Sequence, residues 1–276
     1  MSPKPEIEAV VTDLDGTFWS ASMEVHAATH ETVRLLDDAG IPLLVATGRR
    51  AHSARVGLAR SGLTDRPIVL MNGGLARDRA DGESFLRALI HPMDSIQVFD
   101  AFSSNGLEPL VYLDDPGADL IVGNYPAASP AYISSAPGVK QVGQLRDELE
   151  SVDVIGFGAF GYALGQLEPI AKAITEGGWA TAIIGESLLE GDHGLMVQGF
   201  GIDKQTAIEA WTARNGIDPT KLAVLGDGAN DLHMLRSAKT AIVPENAPES
   251  IRAVAHHVIP RNEDGGWSEV PEILGL

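Results

Sequence analysis

Two aspartates stand one residue apart, directly after the first apolar run of the chain. The stretch AVVTDLDGTFW places Asp13 and Asp15 just after Ala9–Val11, and Gly16 and Thr17 follow them. Carboxylates at the end of a buried strand are costly unless they are paired, hydrogen-bonded or bound to a cation. A solvated turn or a helix cap is the alternative for a bare pair of this spacing. The strand before the pair and the Gly-Thr after it favour a site where both carboxylates hold a hard cation.

A second acidic motif follows another apolar run, much later in the chain. The stretch GDGANDL places Asp227 and Asp231 after Leu222–Leu225. Taken alone, it could be a glycine-rich turn that leads into the start of a helix. Combined with Asp13 and Asp15, it would supply the remaining acids that a metal site needs.

Two further positions could bind an anion. Thr47 stands where the run Ile41–Ala46 meets the turn ATGR, and a hydroxyl with adjacent backbone N–H groups, such as that of Gly48, can hold a phosphate at a helix start. A purely structural threonine is the alternative. Lys204 lies in the first turn of a predicted helix with Asp203 as N-cap, where a cation opposes the helix dipole. A bound anion would remove this conflict, whereas a solvated surface lysine is the alternative.

These motifs all lie where short apolar runs end, so their elements would bring them together. Continuous Val, Ile and Leu runs are typical of strands buried on both faces, as in a parallel sheet, and helical stretches separate them here. This alternation predicts right-handed crossovers and a doubly wound sheet, in which ligands bind beyond the carboxyl ends of the strands. The predicted strands are Ile7–Val11, Ile41–Ala46, Ile68–Met71, Leu222–Leu225, Thr240–Val243 and His257–Ile259, and the predicted helices are Glu31–Ala39, Ala51–Arg60 and Lys204–Arg214.

The middle of the chain has strands and helices in mixed order, which predicts a separate α+β insert. No long linker rich in Pro, Gly or Ser marks either junction. The predicted strands of the insert are Leu107–Leu113, Leu120–Val122, Val152–Phe157 and Ala180–Ile184, and its predicted helices are Asp94–Ser104 and Leu164–Glu176.

Composition excludes several classes of protein. The 276 residues carry a formal net charge of −18, which argues against binding to nucleic acid or to an anionic membrane. The absence of cysteine excludes disulfides, thiolate zinc sites and a cysteine nucleophile. The opening residues do not read as a signal peptide, and no apolar run reaches the length of a membrane span. We therefore expect a soluble cytoplasmic protein.

The order of the motifs resembles the haloacid dehalogenase (HAD) superfamily, specifically its Cof-type phosphatases. TDLDGT, ATGR, MNGG, GIDKQTAI and GDGANDLHML match in order and spacing across the whole chain. The insert resembles the type IIB cap of that family. The resemblance implies an α/β fold with a doubly wound, Rossmann-like parallel sheet as the catalytic core, 1–77 and 194–276, and an inserted α+β cap, 78–193. Asn72-Gly73-Gly74 and Gln205 depart from the common pattern without touching a group that does chemistry.

The resemblance also implies catalytic and metal-binding roles. Asp13 would be the nucleophile that becomes an aspartyl-phosphate, which suits a loose phosphoryl transition state. Asp15 would be the general acid for the leaving oxygen and later the base for water. Mg²⁺ would be held by Asp13, by the backbone carbonyl of Asp15 and by Asp227.

The remaining motif residues would bind phosphate or support those that do. By the same resemblance, Thr47, Gly48 and Lys204 would hold the phosphate oxygens, with Asn230 helping. Asp231 would orient either Lys204 or the waters of the metal.

The expected function is a magnesium-dependent phosphatase that acts on small phosphorylated metabolites through an aspartyl-phosphate. The range Asp78–Asp192 carries 5 basic and 18 acidic residues, which favours a substrate with one phosphate and a neutral body, such as a sugar phosphate. A phosphomutase or phosphotransferase acting on sugar phosphates, and a non-catalytic sensor of a phosphorylated ligand, are the alternatives. We expect a monomer or homodimer that has no nucleic-acid or membrane partner.

Overall fold

The chain folds into two units, each with its own sheet and apolar core. The computed structural model describes residues 6–186 and 193–276; residues 1–5 and 187–192, which belong to the predicted core and cap ranges, lie outside the described residues. The first unit comprises the described residues up to Arg49, together with Ala54–Leu86 and Asp203–Leu276. The second comprises Arg50–Ser53 and the described part of Arg87–Ile202. The assignment of a catalytic core to 1–77 and 194–276, and of a cap to 78–193, stays a prediction.

The sheet of the first unit is mostly parallel. Its strand order is β14-β13-β12-β1-β2-β3-β4-β5, and every described pairing from β14 to β3 is parallel, whereas β3 and β4 are antiparallel. The strands are β1 (Ala9–Thr12), β2 (Leu43–Ala46), β3 (Ile68–Leu70), β4 (Leu75–Arg77), β5 (Ser84–Arg87), β12 (Leu222–Leu225), β13 (Thr240–Pro244) and β14 (His257–Ile259). The chain runs outward from β1 to β3 and later returns on the other side of β1, so the order switches between β1 and β12. Such a switch point is where open α/β sheets bind ligands.

Helices accompany this sheet. They are α1 (Ala27–Asp38), α2 (Ala51–Ser61), α7 (Lys204–Asn215), α8 (Leu232–Ser237), α9 (Glu249–Arg252) and α10 (Val270–Leu274). Helix α7 contributes Ala207, Ile208 and Trp211 to the same buried cluster as the strand residues Val11 and Val224. Burying each large apolar side chain contributes about 1.5–3 kcal/mol, so this packing holds the start of α7 in a fixed place beside the strands.

The second unit is an α+β body with a mainly antiparallel sheet. Its strand order is β10-β11-β9-β6-β7-β8, in which only the described pair β7 and β8 is parallel. Residues of α3 and α6, such as Phe102 and Ile170, share one buried cluster with Val111 and Phe157 of the sheet. The elements are β6 (Leu110–Leu113), β7 (Leu120–Val122), β8 (Val139–Gln141), β9 (Val154–Tyr162), β10 (Thr181–Glu186), β11 (His193–Gln198), α3 (Pro92–Ser104), α4 (Pro130–Ser135), α5 (Leu145–Glu148) and α6 (Leu164–Gly177).

The predicted fold class is confirmed, and the differences are local. Helix α1 begins one turn before the predicted Glu31, because the His26 side chain caps it by accepting from the Ala28 N–H. The strands β4, β5, β8 and β11 were not predicted from the sequence, and β4 and β8 are only three residues long and too short for a periodic signal. None of the described helices is long and apolar enough to cross a membrane.

Arg50 and the first three residues of α2 belong to the second unit. Arg50 is buried and donates through Nη1 to Asp119 Oδ1, and Asp119 is buried as well. Asp119 Oδ2 accepts the backbone N–H of His52 at 2.8 Å. One carboxylate therefore pairs with a buried guanidinium and also satisfies a donor in the first turn of the helix.

Candidate active site

The chain turns sharply after β1, and this turn carries the first two aspartates. Asp13 continues the line of β1, and its backbone N–H donates to Leu225 O on β12 at 2.9 Å. Gly16 has φ +80°, in the left-handed region, and a Cβ there would lie 2.3 Å from Asp227 Oδ2. The turn needs glycine at this position both for its conformation and for space. It places Asp13 and Asp15 at the carboxyl end of the strand.

A buried lysine joins the first acidic motif to the second. Lys204 is fully buried, and its Nζ donates to Asp13 Oδ1 at 2.5 Å and to Asp231 Oδ1 at 2.7 Å. Burial by itself would lower the pKa of Lys204, but the charges and hydrogen bonds of the two carboxylates outweigh it and raise the pKa. Lys204 is thus a charged ammonium, and two carboxylates offset its unfavourable position in the first turn of α7.

Asp231 accepts hydrogen bonds both from Lys204 and from the loop that precedes Asp231 in the chain. It is fully buried, and its Oδ2 accepts the backbone N–H groups of Asp227 at 3.0 Å and Gly228 at 2.9 Å. Its Oδ1 accepts from Lys204. Because fixed donors occupy both oxygens, this geometry supports the positioning of Lys204, one of the two roles expected for Asp231.

Three carboxylates converge at this point. Asp13, Asp227 and Asp231 each offer an oxygen, and these atoms lie within 4.8 Å of one another. Asp227 is fixed by Thr17 Oγ1, which donates to its Oδ1 at 2.9 Å, and by Asn246 Nδ2, which donates to its Oδ2 at 3.1 Å. Clustered carboxylate oxygens are the ligands that hard divalent cations prefer, so these residues fit a metal ion.

The electrostatics of the cluster also favour a bound cation. Burial, reinforced by the charge of Asp231, raises the pKa of Asp227 to about 6. Burial also raises the pKa of Asp13, although the ammonium of Lys204 opposes this effect. Three neighbouring carboxylates share one buried ammonium, so the site carries excess negative charge that a second cation would neutralise.

The loops after β2, β3 and β12 meet at Asn72. Thr47 is fully buried and its carbonyl accepts the Asn72 N–H at 3.1 Å, while Asn230 Nδ2 donates to Asn72 Oδ1 at 2.9 Å. Asn72 has φ +52°, and a Cβ on Gly48 would lie 2.9 Å from its side-chain oxygen. These contacts bring Thr47, Gly48 and Asn230 together. Asn72 was not among the site residues predicted from the sequence, although its place in MNGG at a predicted strand end was a signal.

The carboxylate of Asp15 is held apart from the acidic cluster. Trp19 Nε1 donates to Asp15 Oδ1 at 2.9 Å, and Arg49 donates to both oxygens, from Nη2 to Oδ1 and from Nε to Oδ2, each at 2.7 Å. The Arg49 guanidinium lies over the Trp19 ring, 5.6 Å from its centroid. The sequence motif located Asp15 but did not identify these partners.

A protein-family model identifies the family of this chain. The model of haloacid dehalogenase-like hydrolases matches residues 10–270 of the chain. The chain belongs to this family. The hydrolase is 24% identical over 270 residues to a phosphoglycolate phosphatase of Methanoculleus marisnigri, and the match covers 95% of this chain and 94% of that protein.

Solved structures of other family members share the fold of this hydrolase. A haloacid dehalogenase-like hydrolase from Bacteroides thetaiotaomicron superposes with a TM-score of 0.80 at 22% identity, over 97% of this chain and 99% of that one. The HAD subclass IIB sugar phosphatase BT4131 gives a TM-score of 0.77 at 21% identity, with the same coverage of 97% and 99%. The resemblance seen in the sequence is confirmed, and the relatives' named activities support a phosphoric monoester hydrolase.

Proposed function

We propose that the protein is a magnesium-dependent phosphatase that hydrolyses small phosphorylated metabolites through an aspartyl-phosphate on Asp13. The observation that carries this proposal is the buried Lys204, bonded to both Asp13 and Asp231 beside a third carboxylate. A purely structural ion pair would need one acid for one base. The excess acid here suits a site that receives a cation and the phosphate it accompanies.

Asp13 is the nucleophile in this proposal. Lys204 fixes Asp13 Oδ1 and so orients the carboxylate at the end of β1. A carboxylate oxygen of Asp13 attacks phosphorus, the bond from phosphorus to the ester oxygen breaks, and its electron pair leaves on that oxygen. Thr47, Gly48 and Asn230, which Asn72 holds together, bind the phosphoryl oxygens with Lys204. The Asp13 carboxylate need not be a strong nucleophile, because the transition state is loose and its stabilisation is largely electrostatic.

Asp15 is the general acid and then the general base in this proposal. It gives a proton to the departing ester oxygen, which leaves as an alcohol, and the resulting carboxylate takes a proton from the water that attacks the aspartyl-phosphate. Inorganic phosphate and the starting forms of both aspartates result. A binding protein that only senses a phosphorylated ligand has no use for this second acid.

The metal site is formed by this chain's own oxygens. Mg²⁺ would be held by Asp13, by Asp227 and by the backbone carbonyl of Asp15. Asp231 would keep its hydrogen bonds from Lys204 and from the backbone N–H of Asp227. When bound, the ion offsets the repulsion between phosphate and carboxylates and stabilises the transition state. Thr17 and Asn246 keep Asp227 in the orientation that this requires.

The substrate is a small molecule with one phosphate. The acidic composition of the insert favours a neutral body such as a sugar, and BT4131 is named a sugar phosphatase. The relative from Methanoculleus marisnigri is named for phosphoglycolate, whose body is anionic, so a substrate panel needs both kinds. We propose that the protein works in the cytoplasm as a monomer or homodimer, without nucleic-acid or membrane partners.

The first experiment measures phosphate release from a panel of sugar phosphates, phosphoglycolate and nucleotides, with Mg²⁺ or with EDTA. We expect magnesium-dependent release that is lost in Asp13→Asn and is best on a sugar phosphate. Release that is independent of magnesium, or that the variant retains, would contradict the mechanism. Polyphosphorylated nucleotides as the best substrates would contradict the substrate class. Conversion of a sugar 1-phosphate to the 6-phosphate without release would instead identify a phosphomutase.

A further inference from the structure

The indole of Trp19 lies beside Asp15 because the chain folds back after β1. The backbone N–H of Gly16 donates to Trp19 O at 3.0 Å, and the Trp19 N–H donates to Leu14 O at 3.0 Å. This pairs Asp15 with Trp19 in a short bridge. The side chain of Trp19 is fully buried, and its Nε1 lies 2.9 Å from Asp15 Oδ1. The contact therefore joins a rigid buried group to a carboxylate whose side chain is 26% exposed.

Helix α2 leaves space for this indole. Gly57 lies inside α2, and a Cβ there would stand 2.6 Å from Trp19 Cη2 and 2.7 Å from Cζ3. Glycine in a helix interior costs about 0.5–1 kcal/mol relative to alanine. The ring of Trp19 fills the volume that this glycine leaves open, so helix packing fixes where the N–H points.

The two partners of Asp15 differ in how firmly they are held. Trp19 is fully buried, whereas the side chain of Arg49 is 25% exposed. Both groups are donors only, so in each of these hydrogen bonds the Asp15 oxygen is the acceptor. Oδ1 accepts from both, and Oδ2 accepts from Arg49 Nε. The buried indole therefore fixes the place of Oδ1, and Oδ2 is the oxygen without an indole contact.

We propose that Trp19 is a positioning residue for the acid and base Asp15, and that it makes Oδ2 the oxygen that carries the catalytic proton. This inference rests on the proposed function, because it assumes that Asp15 protonates a leaving group. As the bond from phosphorus to the ester oxygen breaks, the proton passes from Asp15 Oδ2 to the ester oxygen, and Oδ1 stays bonded to the indole N–H. The same Oδ2 later takes a proton from the attacking water.

The role of Trp19 predicts a dependence on the leaving group. An alkoxide needs a proton in order to leave, whereas p-nitrophenolate leaves as an anion. General acid catalysis contributes about 10²–10⁴-fold where it is needed. A displaced Asp15 therefore slows the release of an alcohol and spares the release of p-nitrophenol.

The test compares Trp19→Phe with Trp267→Phe in single-turnover rapid-quench experiments with Mg²⁺. Trp267 is the matched control, because it is also fully buried and donates from Nε1 to the same turn, at Thr17 O (2.9 Å), but not to Asp15. The substrates are p-nitrophenyl phosphate and the alkyl phosphate that the wild type hydrolyses best. For Trp19→Phe we expect release of the alcohol to slow about 10–100-fold and release of p-nitrophenol to change less than about threefold.

Trp267→Phe is expected to change both rates alike, and Asp15→Asn to show the full selective loss on the alkyl phosphate. Equal slowing of both substrates in Trp19→Phe would overturn the inference and leave Trp19 a packing residue. If the wild type releases no phosphate, or Asp13→Asn keeps its activity, the proposed function itself fails, which is a separate outcome.

Two measurements keep the inference testable if Trp19→Phe does not fold. The chain has four tryptophans, so ¹⁵N-labelled wild type gives four indole N–H resonances. We expect Asp15→Asn to shift the Trp19 resonance and to leave that of Trp267 in place; an unmoved Trp19 resonance would overturn the inference. Gly57→Ala, which pushes the ring from its far side, is expected to reproduce the selective loss on the alkyl phosphate, and a uniform loss would contradict the proposal.

Discussion

At the scale of single residues, the site depends on charges that are buried together. Lys204 is fully buried between Asp13 and Asp231, and Asp227 lies beside them. A buried pair is weak evidence for net stability, but removal of one partner leaves an uncompensated charge. The proposed function explains the arrangement better than stability does, because the excess carboxylates cost free energy unless a cation is bound.

Replacement of Lys204 by methionine is expected to lower both stability and activity. The variant leaves Asp13 and Asp231 buried without their ammonium, so the free energy of unfolding should fall by about 3–5 kcal/mol. The phosphorylation rate should fall by about 10²–10³-fold through loss of one donor to the phosphate. Urea unfolding without metal and single-turnover kinetics measure the two effects.

Lys239→Met is the control for this variant. Lys239 pairs with Glu6 at 2.7 Å, but the Glu6 side chain is 80% exposed, so loss of the pair should change the stability far less than loss of Lys204. Similar losses of stability in the two lysine variants would show that Lys204 does not hold a buried charge cluster.

Asp227→Asn is expected to stabilise the metal-free protein at neutral pH. The pKa of Asp227 is raised from 3.8 to about 6, so its contribution to stability is complete below pH 3.8 and is lost as the pH rises through 6. Above pH 6 the asparagine variant, which carries no charge there, should be more stable than the wild type by about 2 kcal/mol. The difference should shrink as the pH falls towards 4.

Denaturant unfolding across this pH range, with EDTA present, measures the difference. Asp100→Asn is the control, because a hydrogen bond from Arg146 lowers the pKa of Asp100, the opposite direction. It is expected to give no gain in stability above pH 6. A stability difference for Asp227→Asn that grows as the pH falls would contradict the burial argument.

At the scale of elements, the site is held by tight contacts between loops and helix starts. The turn after β3 has Met71 and Asn72 at φ +52° and Gly73 at φ +104°. A Cβ on Gly73 would lie 2.0 Å from Asp203 O, the N-cap residue of α7. The turn therefore fits directly against the helix start that carries Lys204, and only glycine leaves enough room.

Gly73→Ala is expected to displace the start of α7 and with it Lys204. The clash is with backbone, which cannot rotate away, so we expect a loss of more than about 2 kcal/mol in stability and a matching loss of phosphorylation rate. Gly62→Ala is the matched control. Gly62 also has a positive φ of +71°, but a Cβ there would meet no atom within 4 Å in the described part of the chain beyond its own chain neighbours.

Gly62→Ala should lower the free energy of unfolding only by the backbone strain, about 1–2 kcal/mol. It should leave the phosphorylation rate unchanged. Thermal unfolding and single-turnover rates measure both variants. An equal effect of the two substitutions on rate would show that the close approach of Gly73 to Asp203 does not position Lys204.

At the scale of the whole molecule, the chain forms two units with separate cores. The site residues described above lie in the first unit, in the loops after β1, β2, β3, β12 and β13 and, for Lys204, in the first turn of α7. The strand order switches between β1 and β12, which is why loops far apart in sequence meet there. The second unit has its own sheet and core, so we expect substitutions in that core to leave the loops of the candidate site in place.

Magnesium with orthovanadate, a phosphate analogue, is expected to stabilise the folded protein. A ligand at a hundred times its Kd adds about 2.7 kcal/mol, which raises Tm by several degrees for a chain of this size. Hydrogen exchange should show the added protection in the loops that contain Asp13 and Asp231. Asp227→Asn is the control and should lose the response to magnesium; an equal rise in Tm for this variant would contradict the proposed metal site.

The sequence by itself determined the fold class, and it predicted which residues carry the chemistry. Buried parallel strands read as continuous apolar runs, and ligand-binding residues follow the ends of such strands, so local patterns were enough to locate Asp13, Asp15, Thr47, Lys204, Asp227 and Asp231. Their roles stay predictions that the experiments above test.

Only the tertiary structure decided how these residues pair. Asp13 and Lys204 are separated by 191 positions, and their 2.5 Å contact depends on strand order and on how α7 packs. The contact of Trp19 with Asp15 depends on the fold-back after β1 and on the space left by Gly57. The position of Asn72 between three loops depends on a left-handed turn. Periodicity and propensity describe a residue's near neighbours along the chain, whereas these contacts are made between elements.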